Sequence, residues 1–468
     1  MSSAAVIRAN LPCSIELPAG CGKTETITEL VALFASEGKR SLVLTHTHAG
    51  VDALRRRCRR LGVPNGAVSI RTIDSWCFDL IGSFPQLADI QVGPDPDWSQ
   101  SDDYYVAGGL ATATSAVHRM LVASYELLVV DEYQDCQSGQ HALITSIAQV
   151  VPTCVFGDRM QGLFFFSGAS VIWESDVEPI FPVLELPVSP WRWHATNPAL
   201  GEWLLDARQN LLSGNGIDLS TGPIALYGTA DRIVACRAQP KHPARTAAIA
   251  KWSRACATLA RRLGDGFTMI EEIEGNHLLE FADFIDDADP EITAAAALDF
   301  AVSCAFGVAE HFNAACRRRI VNDKSLDPAK FGVAASVAQA VNVVMAHASP
   351  ATVGSLLQET GSLPKFRLYR REAWHGIREA LRIAEATEGL SVRAAVVHCR
   401  NKMRMSGRYP ESRIIARPLL IKGLEFDHVV VTDPSAYDAH ELYVCLTRGS
   451  TTLSVVTSTK FFSPPRPY

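Results

Sequence analysis

Two kinds of hydrophobic pattern alternate along this chain. Between Tyr125 and Asp135 the sequence YELLVVDEYQD is a short, unbroken apolar run that ends abruptly in charge, the pattern of a parallel strand buried on both faces. From Ser14 to Phe34, SIELPAGCGKTETITELVALF reads as a short strand, a glycine-containing turn and an amphipathic helix that begins near Lys23. Alternating apolar strand segments resume near Arg413. Between 278 and 405, from LLEFADF to AVVHCRNKMR, the chain is rich in alanine and helical in pattern. Strands separated by helices predict an α/β protein built on parallel sheets.

Composition narrows the class. A length of 468 residues suggests about three domains, and 47% hydrophobic residues suffice for buried cores. The opening MSSAAVIRANLPCS has no apolar segment of signal-peptide length, and Asp299 interrupts the alanine-rich stretch Ala294 to Ala309 before it could span a bilayer. No membrane role and a cytoplasmic location are therefore expected. Twelve cysteines are scattered with no CxxC pair and no Cys/His cluster at metal spacing, which predicts reduced thiols and neither zinc nor iron-sulfur. A net charge of -6 leaves room only for local basic faces, of which Arg55, Arg56, Arg57, Arg59 and Arg60 form one and Arg317, Arg318 and Arg319 another.

The strand, turn and helix around Lys23 supply the context a phosphate loop requires. In the loop Ala19, Gly20, Cys21, Gly22, Lys23, Thr24, Glu25, the glycines let backbone N–H groups close around phosphates and the helix N-terminus adds a favourable dipole. Lys23 reaches the terminal phosphates, and Thr24 offers its hydroxyl to Mg2+. Leu17 stands where the general GxxxxGK[ST] pattern has its first glycine. Downstream, Asp131 is suited to hold the metal through its water shell and Glu132 to orient and deprotonate an attacking water. ATP and Mg2+ are the expected ligands.

DEYQD resembles the second motif of the UvrD/Rep/PcrA helicases of superfamily 1, usually DExQD, and further segments follow in that family's order. CVFGDRMQGLFFFSGA (Cys154 to Ala169) is similar to GDxxQxIYxFRGA, which implies that Gln161 senses the γ-phosphate. LELPVSPWRWHATN (Leu184 to Asn197) is similar to the LxxNYRS segment; the resemblance gives Trp191 to adenine stacking and Arg192 to the γ-phosphate. IKGLEFDHVVVTD matches the fifth motif at Lys422, Gly423, Glu425 and Phe426, and LYVCLTRGSTTLSVV the sixth, making Arg448 the implied arginine finger. SLVLTHTHAGVDAL resembles LxxTFTNxAAxxM, with Thr45 and Thr47 aligned and His46 in place of a base-stacking phenylalanine. RTIDSWC resembles GTFHSF, keeping Thr72 and placing Trp76 at the second aromatic. Phe164 and Phe166 take the aromatic positions of the third motif, with Phe165 the expected core residue among the three.

The resemblance implies two RecA-like parallel-sheet P-loop domains: residues 1–177, with a reduced insertion at 82–123, and residues 178–277 with 406–468. Residues 278–405 form a helical accessory insertion. The implied activity is DNA-dependent ATP hydrolysis with 3′ to 5′ translocation on single-stranded or tailed DNA. The small insertions are similar to those of accessory helicases of bacterial anti-phage systems, notably the Gabija helicase subunit, whose partner is an OLD-family ATPase-nuclease. Arg417 and Leu419 replace the family's Thr and His in TxHxxKG. A nucleotide-gated DNA-sensing or assembly subunit, regulating a nuclease with little unwinding, is the alternative. The FFSPPRPY end is expected to be a flexible tail.

Overall fold

The computed structural model describes residues 2–93, 96–163, 170–240, 244–271, 276–322, 324–406 and 412–465. After a short helix α1 (Ser3–Ala9), the first part of the chain alternates β1 (Cys13–Glu16), α2 (Lys23–Ser36), β2 (Ser41–Thr45), α3 (His48–Arg60), β3 (Val68–Thr72) and α4 (Ile73–Ser83). Helices α5 (Ser101–Thr112) and α6 (Ser115–Ser124) follow, then β4 (Leu127–Val130), α7 (Ser138–Ala148) and β5 (Thr153–Gly157). The five strands form one parallel sheet in the order β1-β5-β4-β2-β3, and Val183 adds a parallel bridge beside Ser14.

Strand periodicity explains why LLVV is apolar throughout. Leu127 and Val129 join Ile15, Val43 and Phe156 on one face, while Leu128 and Val130 join Leu42, Leu44 and Val155 on the other, and both faces are covered by helices. The segment expected as a reduced insertion, 82–123, contributes to this second core through Tyr104, Tyr105 and Ala111 of α5, which are buried in it. Order within the sheet matters most for function. β5 lies between β1, which feeds the phosphate loop, and β4, which feeds the carboxylates; at roughly 5 Å per strand step, the two loops emerge about 10 Å apart on the same edge, with Asp158 between them.

The second sheet uses α8 (Pro198–Leu212), β6 (Ala225–Tyr227), α9 (Arg232–Arg237), β7 (Thr246–Ile249), α10 (Ser253–Leu263) and β8 (Thr268–Met269). Seven further helices, α11 (His277–Asp287), α12 (Pro290–Cys304), α13 (Ala314–Val321), α14 (Ala335–Ala346), α15 (Pro350–Gly361), α16 (Arg371–Ala386) and α17 (Val392–Ser406), precede β9 (Arg413–Ala416), β10 (Phe426–Thr432), α18 (Ala439–Leu446) and β11 (Gly449–Val456). The strands run parallel in the order β6-β11-β10-β7-β9-β8. The protein is thus an α/β chain with two parallel sheets.

Helices α11 to α17 carry a core of their own, in which Phe281 stacks on Phe300 at 4.5 Å and Phe300 on Trp374 at 6.3 Å. They are spliced between β8 and β9, whose pairing of Thr268 with Ile414 closes the sheet beneath them. Part of the expected flexible tail is ordered: Phe461–Phe462 pairs antiparallel with Ile217–Asp218, and Phe462 is buried beside Leu219. Among the described residues no helix is long and apolar enough to cross a membrane, and no cluster of His, Cys, Asp or Glu could hold a metal ion by itself. The cysteines are all free thiols, most of them buried.

Candidate nucleotide site between the two sheets

The phosphate loop takes its shape from glycine. Gly20 and Gly22 have φ of 72° and 90°, a region that L side chains rarely adopt, and Gly22 is the N-cap of α2 with no side-chain cap. Among the described residues no acceptor meets the N–H groups of Gly20, Gly22, Lys23, Thr24 or Glu25, whereas the N–H of Ala19 is engaged by Asp158 at 3.0 Å and that of Cys21 by Pro18 at 3.1 Å. Unsatisfied N–H groups at a helix N-terminus form a cradle for an anion. The residues therefore fit a nucleotide's phosphates on chemical grounds. The Glu25 side chain turns elsewhere, to Arg60 at 2.6 Å and Arg57 at 3.5 Å.

Lys23 leans across the cleft to the carboxylate pair, with Nζ 2.7 Å from Glu132 and 3.3 Å from Asp131. Burial alone would neutralise these groups, but Lys23 and then Lys422 outweigh it at Glu132 and hold that carboxyl well below the ordinary glutamate range. Asp131 moves the opposite way: burial raises it, and the adjacent Glu132 charge adds to the rise against the pull of Lys23. Two neighbouring carboxyls held apart in this way have different tasks open to them: one stays ionised and gains basicity when its lysine partner is drawn away, and the other gains from a cation. Glu132 also sits in the left-handed region, φ 58°, with its carboxylate fixed by Gln134 Nε2 at 2.6 Å. Strain of this kind costs about 1–3 kcal/mol and marks functional positions.

The second sheet closes the cleft with its N-terminal edge. In the segment Trp191–Trp193 the backbone N–H of Arg192 donates to the Gly20 carbonyl at 3.0 Å, and the Trp193 indole donates to the Gly449 carbonyl at 2.7 Å. Arg192 donates to the Thr447 carbonyl at 2.6 Å and pairs with Glu425 at 2.5 Å, while its Nε is buried without a partner. Arg448, only 1% exposed, donates to Gln161 Oε1 at 2.8 Å. Burial, and then the Arg192 charge, bring Arg448 down to about 10. Two guanidiniums held this close in a dry cleft gain strongly from any anion between them. Trp191 is 60% exposed and lies over Gly22, where an added Cβ would come 3.1 Å from its ring. Gly423, with φ 76°, turns the chain between Lys422 and Glu425.

Several residues of this assembly escaped the sequence reading. Arg208 of α8, a second-sheet helix, donates to Asp158 at 2.9 Å and to Glu16 at 2.5 Å. Asp158 in turn accepts from Ala19 of the phosphate loop and from Gln161 Nε2 at 2.9 Å. Tyr443 of α18 reaches the same Ala19 N–H at 3.1 Å. Lys422 bridges the sheets by donating to Asp135 at 2.6 Å and to the Gln161 carbonyl. Gln134 ties the carboxylates to β5 by accepting from the Asp158 N–H at 3.0 Å. Of these, only Arg208 lies outside the motif segments; Gln134, Asp135, Asp158, Lys422 and Tyr443 fall inside them, but with no role assigned there.

The expected nucleic-acid residues fare unevenly. Thr45 is buried at the end of β2, Thr47 caps α3 through the Gly50 N–H at 3.1 Å, and Thr72 caps α4 through the Ser75 N–H at 3.1 Å. His46 is half-buried beside Cys136, 3.5 Å away, and burial lowers its pKa. Trp76 differs from the expectation of a base platform: at 7% exposure it packs with Leu42, Leu44 and Ile73 in the core that also holds Tyr104 and Tyr105, and presents no open ring. Phe164, Phe165 and Phe166 lie outside the described residues.

A phosphate loop on one parallel sheet, a carboxylate pair one strand beyond its neighbour and two arginines from a second sheet define a P-loop nucleotide-hydrolase type of site. The sequence comparison agrees for the first sheet: residues 3–167 match an AAA domain. No curated protein matches the chain. Among solved structures it is similar to the arterivirus nonstructural protein 10 helicase in complex with DNA, at 11% identity and a TM-score of 0.30. That alignment takes in 97% of this chain and 62% of the other, a likeness too loose to bear on function.

Proposed function

We propose that the chain is a DNA-dependent ATPase of the superfamily 1 helicase type, closing two lobes around ATP and moving along single-stranded DNA. The observation that supports it best is Arg192: its backbone grips Gly20 of the phosphate loop while its side chain joins Thr447 and Glu425 of the second lobe. A site assembled from both lobes ties nucleotide state to their relative position, which a translocating motor requires. Thr24 and Asp131 would hold Mg2+, which would neutralise charge on the phosphates. Lys23 exchanges its carboxylate partners for phosphate oxygens, and Glu132, once released, accepts the proton of the attacking water. Gln161 orients that water and relays the γ-phosphate state to Arg448, while Arg192 and Arg448 meet charge that develops in the transition state. Trp191 supplies an open face for the adenine.

Direction of movement, 3′ to 5′, a role in anti-phage defence and an OLD-family ATPase-nuclease partner rest on the motif resemblance alone. The test is ATP hydrolysis measured with single strands, duplexes, tailed duplexes and RNA. Stimulation by single-stranded DNA, together with a Glu132→Gln variant that binds ATP but does not turn over, is the expected result. Hydrolysis by that variant at the wild-type rate overturns the general-base assignment, and no hydrolysis with any nucleic acid overturns the motor.

A further inference from the structure

The nucleotide cleft uses only one edge of the second sheet. Lys422 and Glu425 precede β10, and Arg448 precedes β11, so the phosphate loop faces strand beginnings. In parallel α/β sheets ligands gather at strand ends, and that opposite edge is a separate place here. At it, β6 leads through Gly228 into α9 and β7 leads through Ala250 and Trp252 into α10. Between α9 and α10 lies a groove of about 350 Å³, walled by Arg232, Ile233, Trp252, Arg254, Thr258 and Arg262.

The groove is basic, with no carboxylate among the residues that wall it. Arg393, Arg382, Arg159 and Arg71 each pair with a carboxylate, but among the described residues no carboxylate lies within ion-pair distance of Arg232, Arg254 or Arg262. The Arg232 Nε is buried without a hydrogen-bond partner. Three arginines walling one groove favour an anion shared among them, and the buried Arg232 N–H left without a partner carries a cost of its own.

An aromatic ring completes the groove. Trp252 is 60% exposed at the mouth of α10, which has no side-chain cap. Its loop is braced from behind: Arg417 Nε donates to the Lys251 carbonyl at 3.2 Å, the Lys251 ammonium pairs with Glu441, and the same ammonium lies 5.3 Å from the Trp252 ring. Arg417 is the residue that stands where the resembled family has threonine, so this departure has a structural use. A held, solvent-open indole beside unpaired guanidiniums is suited to a planar base attached to a phosphate.

We infer that this groove binds a phosphorylated nucleoside unit, its phosphate taken by Arg232, Arg254 and Arg262 and its base stacked on Trp252. The unit comes either from a single strand, which extends the proposed function to a contact on this lobe, or from a free nucleotide, which does not depend on that reading. Full-length protein is titrated with fluorescein-labelled (dT)20 at two salt concentrations and, separately, with a fluorescent thymidine monophosphate. Arg254→Glu with Arg262→Glu, and Trp252→Ala alone, are compared with Arg393→Ala as a control, and thermal melts verify folding. Because both glutamates reverse charge at the surface, the pair is expected to weaken the bound probe about tenfold or more and to flatten its salt dependence, and Trp252→Ala about tenfold. Loss confined to (dT)20 identifies a strand, and loss confined to the monophosphate identifies a free nucleotide. Unchanged affinity for both probes in folded variants, or binding of neither by wild type, overturns the groove, whereas failure of the motor reading is seen separately in ATP hydrolysis.

Discussion

Replacing Arg208 with methionine tests how the two lobes are joined beneath the phosphate loop. The guanidinium, with 11% of its side chain exposed, is shared between Asp158, fully buried, and Glu16, 18% exposed. Methionine keeps much of the volume but leaves Asp158 charged and dry. Breaking one side of a buried pair in this way costs about 3–5 kcal/mol, which for a unit of this size lowers the melting temperature by roughly 6–20 °C. Asp158 also accepts from Ala19 and Gln161, so the loss should loosen the phosphate loop and weaken ATP binding as well as stability. The decisive assay is a double-mutant cycle with Asp158→Asn, read by calorimetry and by ATP titration. Removing both charges should recover about 2 kcal/mol relative to the sum of the single changes. If the two substitutions are additive to within about 0.5 kcal/mol, Arg208 is not coupled to Asp158 and the reasoning fails.

Other consequences follow from particular contacts. Gly20→Ala would place a Cβ 2.6 Å from the Trp193 ring at φ 72°, and a cost of about 2–4 kcal/mol is expected from strain and overpacking together; Gly38→Ala, at the same φ but with nothing within 4 Å, should cost only about 1 kcal/mol by thermal melt. At Glu16 burial is outweighed by Arg208 and Arg159, so its folded pKa lies below the ordinary 4.5. The stabilisation is therefore complete above pH 4.5 and is lost as pH falls through the folded value; acid titration of Arg208→Met should show a smaller loss over that range than wild type. Lys422→Met should destabilise by about 3–5 kcal/mol because Asp135 stays buried without its cation, and Asp135→Asn in the same chain should recover part of that in a denaturant titration.

What the amino-acid pattern revealed was local. The strand, glycine turn and helix around Lys23 and the LLVV strand before Asp131 are visible because their backbone and burial requirements fall on consecutive residues. Arg208 was not visible, since within DARQN it looks like any charged position on a helix, and its partners are 50 and 192 residues away. Gln134 and Tyr443 lie within recognisable segments, but their partners, Asp158 and Ala19, are set by the fold and not by those segments. Trp76 shows a different limit: residue type indicates an aromatic, but which face of α4 turns inward is decided by packing against β2 and α5. The strand order of the second sheet, and the unpaired arginines at its far edge, belong to topology rather than to any segment.

The central claim is that arginines of the second lobe complete a site whose phosphate loop lies on the first. Single-turnover hydrolysis by Arg448→Ala, with ATP affinity measured in parallel, tests it most directly. Hydrolysis should fall on the order of a thousandfold, equivalent to about 4 kcal/mol, while ATP affinity changes only a few-fold. A variant that turns over within a few-fold of wild type would show that Arg448 contributes nothing to the chemistry and would contradict the claim.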